Sequence, residues 1–201
     1  MSEPNAPRPS AAPASPEAEL AKLRQRLADL EQAYREASEE LAEVSDRADL
    51  MILQHATVRQ ISAAIGREPL LQALQEVVIN IIGSEELAIF DLVDGALRLA
   101  RGFGVNPGPL RTIPLGQGPL GRLAAAGQTW VTGRDAAQLE TEGLTAFVPL
   151  RGDGQLVGAI AIWRMLGHKP ELVPSDLETL ELLSVHGGQS LLLRQLLERS
   201  A

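Results

Sequence analysis

From Glu17 onward, apolar residues recur at alternating spacings of three and four. Leu20, Leu23, Leu27, Leu30, Tyr34, Ala37, Leu41, Val44, Ala48 and Met51 form one narrow ridge. That is the a/d seam of a coiled coil; a helix lying on a globular core shows a wider stripe. In a parallel pair, each g position faces the next e position of the partner. Glu19 then meets Arg24 and Arg26 meets Glu31, both attractive. The pattern predicts a parallel homodimer zipped along Leu20, Leu23, Leu27, Leu30, Leu41, Val44 and Met51. The alternative is a solitary charged helix folded back on its own domain. Tyr34, Ala37 and Ala48 weaken the seam, so the domain that follows is expected to contribute to dimerisation.

Near residue 50 the pattern changes. "LMIL" (50–53) is apolar all round, and Val58, Ile61 and Ile65 continue a broader stripe until Gly66 and Pro69 stop the helix. A second helix is predicted over 68–82, with Leu70, Leu74, Val77, Val78 and Ile81 on one face and Gly83 at its end. Two strands, 86–93 and 96–103, flank Asp94-Gly95, a dipeptide that marks a tight hairpin. A short helix over 118–127, a strand in "QTWVT", and a second hairpin around "GDG" (152–154) follow. A final helix covers 174–199, with Ser175 and Glu178 as its capping box. Residues 1–16 carry five of the 13 prolines and read as a disordered tail. The predicted division is tail 1–16, coiled-coil helix 17–57 and globular domain 58–201. Segregated helices and hairpin-joined strands predict an α+β fold: an antiparallel sheet with helices packed on one face.

The two-residue turn sets the register of the first hairpin: Val93 opposite Ala96, Leu92 opposite Leu97, Asp91 opposite Arg98, Phe90 opposite Leu99. The face bearing Ala88, Phe90, Leu92, Leu97 and Leu99 is almost wholly apolar and is expected to pack on the helices. The other face carries Ile89, Asp91, Val93, Arg98 and Ala100. On it, Asp91 and Arg98 are either a cross-strand ion pair or the lining of a ligand cavity.

These segments together resemble a GAF domain over about residues 58–198. The likeness rests on "ELAIFDLVDGALRLARGFG", "TIPLGQGPLGRLAAAGQTWVT" and "LTAFVPLRGDGQLVGAIAIW", in that order. It implies a six-stranded sheet with helices on one face and a small-molecule cavity on the other. It also implies dimerisation through the first and last helices, and a sensory or regulatory role. The chain has no cysteine, so the bilin attachment and methionine sulfoxide reduction of other members do not carry over.

Composition narrows the chemistry further. Zero cysteines exclude disulfides and thiolate metal sites. A net charge of −8 gives no basic footprint, so neither nucleic acid nor an anionic membrane is an expected partner. No run reaches the length of a membrane helix and the N-terminus lacks the apolar core of a secretory signal, so the cytoplasm is the expected address. Sixteen of the 18 basic residues are arginine, a coding bias that suggests a bacterial source.

Gly116, Gly118 and Gly121 spell G-x-G-x-x-G, but Pro114 precedes them and no βαβ unit surrounds them, so a dinucleotide site is not expected. They read as a turn into a short helix whose first amides suit an anion. Gly118, Leu120 and Gly121 therefore join Asp91 and Arg98 as candidate ligand-binding residues. His55, His168 and His186 show no metal-ligand spacing, and the pairs Glu39-Glu40 and Glu85-Glu86 read as solvated surface. No nucleophile stands out.

The expectation is a non-enzymatic homodimeric module of bacterial signalling, without cofactor or metal. It would bind a small-molecule ligand or an unidentified protein partner and pass its signal to a separate protein. The alternative is a scaffold with a vestigial cavity, which the short 133–143 connection favours, acting through its coiled coil.

Overall fold

A computed structural model describes residues 16–134 and 143–200. The expected tail lies outside the described residues except for Pro16, where helix α1 (Pro16–Ala63) begins. The chain divides into an arm ending at Asp49 and a compact unit starting at Leu50.

In the arm every described residue is exposed. Its polar positions pair along the helix, Gln25 Nε2 with Asp29 Oδ1 and Gln32 Nε2 with Glu36 Oε1, each at 2.9 Å. The leucine ridge is exposed among the described residues: Leu23 is 63% exposed, Leu30 68% and Leu41 70%.

The compact unit is built on six antiparallel strands: β1 (Ser84–Val93), β2 (Ala96–Phe103), β3 (Thr112–Pro114), β4 (Trp130–Val131), β5 (Ala146–Gly152) and β6 (Gln155–Met165), in the order β3-β2-β1-β6-β5-β4. Both hairpins turn on Asp-Gly. Asp94 and Asp153 adopt φ of 52° and 51°, and the glycines after them 73° and 72°. Positive φ at both central residues is the turn whose twist matches paired strands. The predicted register of the first hairpin holds from Val93–Ala96 to Phe90–Leu99, beyond which the register shifts.

One face of the sheet carries α2 (Arg67–Val77), α4 (Pro174–Leu182), α5 (Gly188–Ser200) and the end of α1. Each of α2 and α4 runs into a π turn, Val78–Ile82 and Leu183–Gly187. Ile61, Leu70, Leu74, Ile82, Leu180 and Leu191 pack there on Leu87, Ile89, Val148 and Ile160. Each of these fully buried side chains contributes about 1.5–3 kcal/mol. The other face carries α3 (Gly118–Ala126), with Leu120, Leu123 and Ala124 on Ala88, Phe90, Leu97, Phe147, Ala159 and Ala161.

This arrangement corrects two expectations. The Phe90 face of the first hairpin was expected against the helices; it faces α3, and the Ile89–Asp91 face packs on α2 and α5. Both sheet faces are covered, so the more apolar face of one hairpin did not mark the helical side. The final helix is capped at Val173 rather than at Ser175. Val173 donates its N–H to Asp176 Oδ2 at 2.8 Å, while Glu178 accepts from Gln54 at 2.8 Å. Pro174 occupies the first helical position and holds Val173 extended, which places the cap one residue before it.

Candidate functional site

The layer between α3 and the sheet is assembled from glycine geometry upward. After β3 the chain turns through Gly116 (φ 78°) and Gly118 (φ 61°), where the Gly116 N–H donates to the Gly121 carbonyl at 2.8 Å. A Cβ on Gly121 would collide with the Pro114 carbonyl oxygen. The three glycines thus press α3 onto β3. Of the candidates proposed there, Leu120 and Gly121 are buried in the packing and Gly118 is an exposed turn residue.

The sheet floor beneath α3 is shallow. Ala88 lies opposite Ala161, and Phe90 opposite Ala159, so small side chains alternate with Phe90 and Phe147. Trp130 closes one side. It is 7% exposed, and its indole Nε1–H is buried with no hydrogen-bond partner among the described residues. An unmet buried donor is costly, which makes this indole the polar feature of the layer with capacity to spare. Sequence reasoning did not single it out.

At its far end α3 is tied to the sheet. Gly127 caps it in the left-handed conformation (φ 63°), and Arg151 Nη2 of β5 donates to the Gly127 carbonyl.

Asp91 and Arg98 do not belong to this layer. They are opposite each other in register, yet each takes another partner. Asp91, 6% exposed, accepts from Arg67 Nη2 at the start of α2, and its Oδ1 is buried with no partner among the described residues. Arg98 pairs with Asp94 at 2.9 Å on the surface. The expected Asp91–Arg98 ion pair is therefore corrected: α2 covers Asp91 from the helical side and supplies its cation. Burial lowers the pKa of Arg67, but the hydrogen bond and charge of Asp91, with Glu198 and Glu68, outweigh it and raise the guanidinium above its ordinary value. Arg101 extends the cluster to Gln75 Oε1 (2.5 Å) and Glu68 Oε2 (3.4 Å).

Among the described residues no group of acidic or histidine side chains has the arrangement of a metal site. Glu85 and Glu86 both pair with Arg164, at 2.8 and 3.0 Å. No described helix is long and apolar enough to cross a membrane.

Among solved structures, the chain is similar to the GAF domain of a phosphoenolpyruvate-protein phosphotransferase from Coxiella burnetii, at 16% identity and a TM-score of 0.58, over 75% of this chain and 96% of that one. It is similar to a methyl-accepting chemotaxis protein at 18% identity and a TM-score of 0.54, over 70% of this chain and 98% of that one. It is also similar to fRMsr of Staphylococcus aureus in complex with its substrate, at 18% identity and a TM-score of 0.54, over 71% and 95%. At such identities the likeness concerns the fold. No curated protein matches the chain. The GAF domain family, typical of sensory and regulatory signalling modules, matches residues 64–191. With more than half of its length matched, the chain belongs to the GAF domain family.

Proposed function

We propose that this protein is a homodimeric, non-enzymatic regulatory module of the cytoplasm, joined along the ridge of α1 and carrying a small-molecule site between α3 and the sheet. One observation carries the reading. An apolar seam led by Leu20, Leu23, Leu27, Leu30 and Leu41 stands exposed on the arm of a chain that also holds a GAF domain. Burying one such leucine against a partner is worth about 1.5–3 kcal/mol, so leaving the seam in water is costly and pairing removes that cost. Leu193, Leu196 and Leu197 of α5 are also half exposed or more and suit the same dimer.

The α3 layer supports the ligand half of the reading through its shallow alanine floor and the unmet Trp130 donor. Thiol catalysis is closed to a chain without cysteine. Native mass spectrometry of the purified protein tests both halves. The expected mass is that of two subunits, with a retained small molecule on a fraction of them. A single-subunit mass at micromolar concentration overturns the dimer.

A second reading, a scaffold whose layer is filled by its own side chains, is favoured by the close burial of Leu120, Leu123, Phe90 and Phe147. It predicts a dimer that retains nothing and gains no thermal stability from any member of a metabolite panel.

A further inference from the structure

Helices α3 and α5 are on opposite faces of the sheet, yet both end on Arg151. The residue is at the register shift between β5 and β6. Its guanidinium holds the carbonyl that caps α3. Its backbone is pressed against Gly188, where a Cβ would collide with the Arg151 peptide atoms. Gly188 opens α5 and directly follows the π turn Leu183–Gly187. The same stretch of β5 anchors that turn: buried Ser184 donates its Oγ–H to the Pro149 carbonyl at 2.5 Å. Beyond the turn, Gln189 Oε1 accepts from the Asp153 N–H at 3.1 Å. A Cβ on Gly152 would stand 2.6 Å from Leu192 Cβ. Residues 149–153 are thus gripped by the π turn and α5 on one side and by the end of α3 on the other.

A π turn contains one residue more than the α-helix it interrupts. Relaxing it to α geometry turns the following helix by about 100° and shifts it by about 1.5 Å. Such a change would be a discrete two-state transition, the kind that coupling between distant sites requires. We propose that Arg151 couples the α3 layer to α5. The position of α3 sets residues 149–153, and these set whether 183–187 keeps its extra residue. The outcome decides which way Leu193, Leu196 and Leu197 point. This deepens the reading of the α3 layer as a ligand site and names how that site is read out.

Hydrogen–deuterium exchange on the full chain tests the coupling without any ligand. Arg151 is exposed, so Arg151→Gln removes the clasp without emptying a core position. Exchange is expected to rise about tenfold over 183–192 as well as 118–127, the size of one lost hydrogen bond to a charged donor. The β2–β3 edge, 96–114, should be unchanged, and Arg122→Ala on the outer surface of α3 should leave 183–192 unaltered. Coupling is reciprocal, so Ser184→Ala should in turn raise exchange over 118–127. Changes confined to each variant's own face of the sheet would overturn the proposal. Failure to find a retained molecule by mass spectrometry would count against the ligand site and leave this measured coupling standing.

Discussion

Arg67 and Asp91 clasp the first turn of α2 to β1, one of the two central strands of the sheet. The two ends of this contact are unequally buried, with side-chain exposures of 29% and 9%. Removing Arg67 strands a carboxylate that cannot reach water, whereas removing Asp91 leaves a cation that still has Glu68 beside it at 3.3 Å. Arg67→Ala is therefore expected to cost more than Asp91→Ala, by about 1 kcal/mol out of a loss of about 2–3. Urea unfolding of the two variants checks the order. Because the pKa of Arg67 is raised, its contribution is complete below the ordinary arginine range and is lost only above the raised value. Arg67 will add no pH dependence to stability near neutrality.

The capping assignment separates two neighbours. Asp176 accepts from the Val173 N–H at 2.8 Å and from Lys169 Nζ at 2.6 Å, and it is 3% exposed. Asp176→Ala is expected to cost about 2–3 kcal/mol, from the lost cap and the lost ion pair with Lys169 together. Ser175→Ala should cost less than about 0.5 kcal/mol. Thermal melts that rank the two the other way would restore the cap to Ser175.

Trp130→Phe removes the unmet N–H while keeping an aromatic ring. Relief of the buried donor offsets the smaller ring, so stability should stay within about 1 kcal/mol of the parent, against the 3–5 typical of Trp→Ala in a core. If a ligand acceptor pairs with this indole, the same variant will lose whatever small molecule the parent retains in native mass spectrometry.

On the arm, Leu23→Asp with Leu30→Asp places charge at the same seam position of two successive heptads. Dissociation of the dimer should rise by at least about 100-fold, since each lost leucine contact is worth about 1.5 kcal/mol or more. Sedimentation equilibrium checks it, and circular dichroism of the compact unit should be unaltered.

Both hairpins were readable from their Asp-Gly turns, and for the first the register followed by counting as far as Phe90–Leu99, where the ladder shifts. The seam of α1 was equally plain, as its three-and-four alternation runs uninterrupted from Leu20 to Met51. Which face of the sheet meets the long helices was not readable. Alternation separates Phe90 from Asp91 but says nothing of what covers either, and in β6 the run Val157–Ile162 is buried on both sides. Asp91 showed an obvious cation across the hairpin, while its actual partner is 24 residues away on a helix, a contact no local spacing encodes. Gly187 comes close to Leu74 of α2 and Gly188 to the Arg151 backbone of β5, and nothing in their vicinity announced a π turn. Trp130 drew no notice because an indole in a strand is unremarkable until its N–H is found without an acceptor.

The sheet finishes in strands of three residues at one margin and two at the other. Such stubs offer an incoming extended chain almost no ladder to copy, so growth by strand addition, the usual route to fibrils, finds little template at either margin. Whatever company this protein keeps at high concentration is thereby steered toward its helices, where register and stoichiometry are set by side chains and assembly can stop at a finite size.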